Sequence, residues 1–198
     1  MSPPPENTPE LETARLWLRR FRTDDAAAML PVLADERVNT YLPWFPVRTL
    51  AQARTHLRER FLAHYSSPVG YRYAVCVKPD PRPVGWVTVT ATPEHDLGYG
   101  LAAEHWGQGI ATEAARAVVD RVRHSGWPYV TATHDRDNPA SGRVMAHIQM
   151  GYRYSYVEQW QPKDVSVTFR MWQLDLDGPQ PTYRGYWDRY PDHFVESV

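Results

Sequence analysis

The stretch Trp106-Gly107-Gln108-Gly109-Ile110-Ala111-Thr112-Glu113-Ala114 decides how this chain is read. Two glycines follow a strand-like segment, and a helical pattern begins directly behind them. Ile110, Ala114, Val118 and Val122 recur at helical spacing, so an amphipathic helix is predicted to follow Gly109. Gly126 and Pro128 stop it, as a glycine past the last turn and a following proline do. A helix N-terminus presents unpaired backbone N–H groups and the positive end of the helix dipole. Glycines in front of it let a phosphate approach the backbone closely. The pattern is that of a pyrophosphate cradle; taken alone it is at least as much that of a tight glycine turn into a helix.

Other phosphate fingerprints fit less well. A P-loop needs Gly-Lys-Ser/Thr before its helix, and none is present. Gly98-Tyr99-Gly100-Leu101-Ala102-Ala103 matches the dinucleotide pattern G-x-G-x-x-A, but Gly107 and Gly109 follow too soon for a helix to open there. It is read as a chance match, which leaves an NAD-dependent oxidoreductase without other support.

Upstream of the glycines, Tyr71–Val77, Pro83–Val89 and Asp96–Leu101 read as three strands, separated by Pro81-Arg82-Pro83 and Thr92-Pro93-Glu94. Before them, Arg15–Phe21 is a strand with Leu16 and Leu18 on one face. Thr23-Asp24-Asp25 starts a helix toward Leu33 that Pro31 disturbs. Val38–Pro46 is an aromatic loop or broken helix, and Leu50, Ala53, Leu57, Phe61 and Tyr65 mark a second helix. Downstream, Tyr129–His134 is a strand, and Asn138-Pro139 opens a helix as N-cap and first-turn residues. Tyr152–Trp160 and Val165–Leu174 form a hairpin around Gln161–Asp164. This order implies one mixed α/β domain over 13–176, with a mostly antiparallel central sheet of about seven strands and helices on both faces. Residues 1–12, proline-rich and polar, are expected to be disordered.

Composition narrows the function classes. Across 198 residues the formal net charge is -1, and no basic stripe is visible, so no nucleic-acid partner is expected. The longest nearly apolar run, Ala26–Ala34, is too short to span a bilayer, so no membrane association is expected. The N-terminus has no apolar signal core, and the expected location is cytoplasmic. Cys76, the one cysteine, lies in an apolar strand and reads as an inert core residue. The eight histidines show no zinc-binding spacing, so no metal is expected.

Four separated motifs then arrive in order: Gly98-Tyr99; Glu104-His105-Trp106-Gly107-Gln108-Gly109-Ile110-Ala111-Thr112-Glu113-Ala114; Asn138-Pro139-Ala140-Ser141; and Met150-Gly151-Tyr152. Together they resemble the GNAT superfamily, and more narrowly its ribosomal-protein N-terminal acetyltransferase-like branch, over roughly residues 11–176. The opening Leu11–Arg19 is similar to that branch's first strand. The superfamily's usual Arg or Gln at the start of the glycine motif is replaced by Trp106.

The resemblance implies acetyl-CoA as co-substrate. Trp106, Gly107, Gln108, Gly109, Ile110, Ala111 and Thr112 would form the loop that holds the pyrophosphate. The edge of the strand ending at Leu101 would pair with the pantetheine amides, and Asn138 and Ser141 would line that arm. An N-cap and a wet first-turn serine would look the same. The implied reaction is direct attack of a primary amine, from a peptide α-amine or a small molecule, on the thioester. Ser141 would protonate the leaving thiolate, with Tyr152 or Tyr154 in reserve. A base must deprotonate the ammonium. Asp96 fills the family's usual place, beside Glu94 and His95, with Glu158 as a rival; Asp96 is equally a polar residue at a strand entry. Glu113 is expected to pack or pair in the first helical turn. Tyr41–Phe45, with Trp44, would wall the acceptor slot. A catalytically silent acyl-CoA-binding regulatory module is the alternative.

Beyond Asp177, Tyr183, Tyr186, Trp187, Tyr190 and Phe194 sit among prolines and charges. Disordered tails are poor in aromatics. This one is expected to dock on its own domain or on a second copy in a homodimer.

Overall fold

The structure, a computed structural model, describes residues 7–67 and 70–198. Its first half runs β1 (Leu11–Glu12), β2 (Leu16–Arg20), α1 (Ala26–Ala34), α2 (Glu36–Asn39), α3 (Leu50–Arg60), β3 (Tyr71–Val77), β4 (Pro83–Val89) and β5 (Leu97–Leu101). The second half runs α4 (Ile110–Val122), β6 (Tyr129–Asp135), α5 (Pro139–His147), β7 (Gly151–Trp160), β8 (Val165–Asp175), α6 (Gly185–Arg189) and β9 (His193–Phe194). The result is a mixed α/β domain with antiparallel sheets.

Alternation along the strands assigns the two faces. Leu16, Leu18, Tyr71, Tyr73, Val75, Val87 and Val89 turn toward α4 and α5 and form one core with Ile110, Ala114, Val118 and Val122. Ala74 and Trp86 turn to the opposite face, where α1 and α3 bring Met29, Leu33, Ala53, Leu57 and Phe61. Each fully buried aliphatic side chain contributes roughly 1.5–3 kcal/mol over its exposed state. The β2–α1 corner carries a buried ion pair, in which Arg19 donates to both oxygens of Asp25 at 2.8 and 2.9 Å. Pro31 sits inside α1 and its carbonyl still accepts from Asp35 N–H at 3.1 Å.

Two expectations need correction. The single sheet of about seven strands is divided into two, β1-β2-β3-β4-β5 and β6-β8-β7-β9. Between β5 and β6 there is a parallel bridge from Asp96 to Thr131, where Thr131 N–H donates to His95 C=O at 3.3 Å. Beyond this bridge the two strands have no register pairs. Periodicity identifies strands one at a time and does not reveal where two neighbours stop pairing.

The disordered start fails for residues 7–12; residues 1–6 lie outside the described residues. Leu11 and Glu12 pair with Leu18 and Trp17. Asn7 Nδ2 donates to His64 O at 2.9 Å and Ser67 O at 2.6 Å, and Thr8 is buried with its hydroxyl accepting from Arg72 N–H at 3.0 Å. The polar side chains that suggest disorder here satisfy backbone groups of other segments.

The tail docks on its own domain. Tyr183, Tyr186, Trp187 and Tyr190 pack on Tyr154, Tyr156, Phe169 and Met171. β9 adds to the free edge of β7, with Phe194 opposite Ser155 and His193 opposite Tyr156. Glu196 accepts from Ser155 Oγ at 2.8 Å and from Arg170 Nε at 3.0 Å. Among the described residues no helix is long and apolar enough to cross a membrane.

Candidate active site

The glycine loop forms at the open end of the divide. Gly107 and Gly109 adopt φ of 71° and 74°, a region that side-chain-bearing residues rarely enter. The space over Gly107 is open, and a Cβ on Gly109 would meet only an Arg15 guanidinium nitrogen at 3.5 Å. Among the described residues, no N–H from Gly107 to Thr112 has a partner; the first to find one is Glu113, which donates to Gly109 O at 3.0 Å. Six amide groups at a helix start, over open space, fit an anionic pyrophosphate. Glu113 itself points back, accepting from Thr13 Oγ1 and Arg15 Nε at 2.6 Å each. Arg15 also donates to Gln108 O at 2.9 Å and so fixes the loop. It is a residue of the site that the motif reading passed over, because its role depends on a contact 93 positions away.

The outer edge of β5 is available for the arm that follows. Asp96 O accepts from Thr90 N–H and Ala102 N–H donates to Val84 O, so even-numbered residues face β4. Alternation then turns the peptide groups of Tyr99 and Leu101 outward. Leu101 C=O accepts from Trp106 Nε1 at 2.9 Å, which gives Trp106 a structural role.

Asn138 is the N-cap of α5; its side chain accepts from Ser141 N–H at 3.3 Å. Across the divide, Tyr99 OH donates to Ser141 O at 2.8 Å and lies 3.0 Å from Ser141 Oγ. Burial holds the Tyr99 phenol far above its ordinary range, so it remains a neutral donor. Tyr99 therefore joins β5 to α5 and places Ser141. The reserve tyrosines are engaged elsewhere: Tyr152 OH contacts Ser155 Oγ at 3.0 Å, and Tyr154 OH donates to Tyr183 O at 2.8 Å.

Asp96 sits at the bridge that ends the divide. Its Oδ1 is shielded from solvent and has no hydrogen-bond partner among the described residues. Burial, with the charge of Glu94 adding, pushes its carboxyl up to about 7. His95 turns away and stacks on Trp127, ring centres 4.3 Å apart. Glu158 lies on β7 beside Tyr156 and Tyr190. Cys76 is buried and its thiol is pushed up to about 11 by burial, so it is no nucleophile.

The segment after α2 is tied to the second half of the chain by two side chains. Tyr41 OH donates to Asp137 O at 3.0 Å, and Lys163 at the hairpin tip donates to Thr40 O at 3.1 Å and to Asn39 O. Trp44 is held by Asn39 Oδ1 at 2.9 Å and packs on Trp86. Two surface hollows, of about 360 and 270 Å³, lie elsewhere and contain none of these residues.

A glycine loop opening a helix beside a divided sheet is the arrangement that comparison with known proteins places in a family. Residues 15–151 match the family profile described as "Acetyltransferase (GNAT) domain", and the chain belongs to that family as an N-acetyltransferase. An "Uncharacterized N-acetyltransferase YoaA" of Bacillus subtilis (strain 168) is 27% identical over 150 residues, 73% of this chain and 83% of that protein. A GNAT-family acetyltransferase structure from Bacillus anthracis superposes with a TM-score of 0.73 at 20% identity, covering 85% of this chain and 99% of that one. The ribosomal L7/L12 α-N-protein acetyltransferase RimL, in complex with coenzyme A, gives a TM-score of 0.74 at 18% identity, covering 86% and 100%.

Proposed function

We propose that this N-acetyltransferase moves the acetyl group of acetyl-CoA to a primary amine by direct attack in a ternary complex, with peptide α-amines as the favoured acceptors. The observation that carries this reading is Asp96: a half-buried residue whose carboxyl Oδ1 is shielded and has no hydrogen-bond partner among the described residues, at the bridge that ends the divide, just before the strand that leads to the open amides of the glycine loop. A silent binding module has no need of such a group.

The residues divide the work by position. The amides from Gly107 to Thr112 hold the pyrophosphate, and the outward peptide groups of Tyr99 and Leu101 pair with the pantetheine arm. Acetyl-CoA supplies the activated acyl group and the thiolate leaving group. Asp96, poised near neutrality, takes the proton of the incoming ammonium, directly or through water. The Tyr99–Ser141 pair returns a proton on the leaving-group side, Ser141 donating and Tyr99 holding it in place. An α-amine, with a pKa of about 8 against about 10.4 for lysine, is unprotonated far more often at neutral pH, so a carboxylate base suffices. The structural neighbour RimL, described as an α-N-protein acetyltransferase, supports the same acceptor class.

The test is thiol release from acetyl-CoA with a panel of short peptides, polyamines and aminoglycosides. Peptides with small N-terminal residues are expected to turn over fastest at neutral pH. Faster turnover of a polyamine or aminoglycoside than of every peptide would overturn the acceptor class, and no thiol release with any amine would overturn the reaction.

A further inference from the structure

The C-terminal segment lies beyond the matched family domain, which ends at Gly151, and it does more than cover apolar surface. A chain of contacts leads from it to Asp96. Asp96 is bridged to Thr131 on β6, and residues opposite each other in such a bridge turn their side chains to the same face. Thr131 lies opposite Gln173 on β8. Gln173, 1% exposed, holds the tail at both ends of its amide: its Nε2 donates to Pro181 O at 3.1 Å and its Oε1 accepts from Tyr183 N–H at 2.8 Å. From Tyr183 the rings continue without a gap. Tyr183 and Tyr186 are 5.5 Å apart, and Tyr186 stacks on Tyr156 at 5.0 Å and 10°. Tyr183, Tyr186 and Tyr156 all lie within electrostatic reach of the Asp96 carboxylate.

We propose that residues 177–198 belong to the catalytic site, with Tyr183 and Tyr186 acting as positioning residues that cover Asp96 and keep bulk water from it. The proposal rests on the reading of Asp96 as the base. The titratable groups around that carboxyl are Glu94 on its own turn, Tyr99 on β5, Tyr156 on β7, and Tyr183 and Tyr186 on the tail. The tyrosines are neutral at the working pH, so burial rather than a neighbouring cation sets the carboxyl, and the role assigned to the tail is to add to that burial. Without that cover, water would reach the carboxylate and return it toward the ordinary carboxylate range, making it a weaker base.

The experiment is the pH profile of kcat/KM for the best peptide, with acetyl-CoA affinity measured alongside, in the wild type, Y186F, Y186A, Y186L and D96N. The wild type is expected to rise with pH through a midpoint near 7, where Asp96 ionises. Y186F keeps the ring and the midpoint. Y186A and the better-packed Y186L lower the midpoint by about one pH unit or more and reduce kcat, with acetyl-CoA affinity unchanged. A midpoint that stays put in both, while D96N abolishes the limb, overturns the role of the tail. A limb that survives in D96N overturns the base instead. In that case the ¹³C titration of the Asp96 carboxyl in wild type and Y186L still decides whether Tyr186 covers it: equal midpoints mean that it does not.

Discussion

Gly109 is required to be glycine by its φ of 74°, while a Cβ there would meet only an Arg15 guanidinium nitrogen at 3.5 Å. Gly109→Glu places strain and a negative charge where the pyrophosphate would lie. It is expected to abolish the thermal stabilisation by acetyl-CoA, and a full shift in this variant would remove the loop from the cofactor site. Ser141→Ala is expected to lower kcat on the order of 10²-fold with little change in acetyl-CoA affinity, because proton donation belongs to the transition state. Tyr99→Phe should give a smaller loss of the same kind; unchanged kcat in both would clear the pair of any role. Asp96 has an opposite signature in stability. Its carboxyl is raised, so the folded state keeps a proton that the unfolded chain loses above its ordinary pKa of 3.8. Stability contributed by this group therefore falls as pH rises through about 7. Asp96→Asn is expected to raise the melting temperature at pH 8 and to leave it near the wild-type value at pH 4, as read by thermal unfolding. Equal effects at the two pH values would mean that the carboxyl is solvated or paired. Of these residues, the sequence singles out the glycines, Ser141 and Asp96 as candidates. Tyr99 was legible only as part of a motif, since its work is a contact 42 positions away.

Helix α3 shows how far local signals reach. Thr49 caps it, accepting from Gln52 N–H, while Gln52 reaches back to Thr49 N–H. This reciprocal box is readable from spacing alone. The β2–α1 corner is different: Asp25 looks like a first-turn acid, but it is the partner of Arg19, and both side chains are about nine-tenths buried. Arg19 also donates to Pro81 O at 2.7 Å, which ties the β3–β4 turn to the same corner. Asp25→Ala leaves the guanidinium buried without its counter-charge and is expected to destabilise by about 3–5 kcal/mol. Thr49→Ala should cost only about 1 kcal/mol. Denaturant unfolding of the two variants checks the order, and an Asp25→Ala loss below that of Thr49→Ala would show that the corner relaxes.

At the scale of the whole molecule, the tail closes the edge of β7 and covers Tyr154, Tyr156, Phe169 and Met171. Truncation after Asp177 would expose this apolar face together with a ten-residue edge strand. Such edges recruit other chains. The truncated protein is expected to melt at lower temperature and to self-associate, as read by thermal unfolding and by mass in solution. An unchanged melting temperature and mass would mean that the tail contributes nothing to the fold. Sequence reasoning could say that the aromatics dock, because disordered segments seldom carry so many. It left their own domain and a second copy both open, because composition does not specify the surface that receives them.

The sequence by itself determined the elements and the order in which they follow, because periodicity, glycines and caps act over a few residues. It also determined the family and the glycine loop, since a helix start preceded by two glycines is a local object. Tertiary structure decided what those elements do to one another. It split the sheet beyond the Asp96–Thr131 bridge, brought Tyr99 onto Ser141 and Arg15 onto the loop, and folded the last residues back over Tyr154, Tyr156, Phe169 and Met171. These depend on strand register and on contacts between residues tens of positions apart. The state of Asp96 depends on them too, because a carboxyl's proton affinity is set by how much water and charge the finished fold leaves around it.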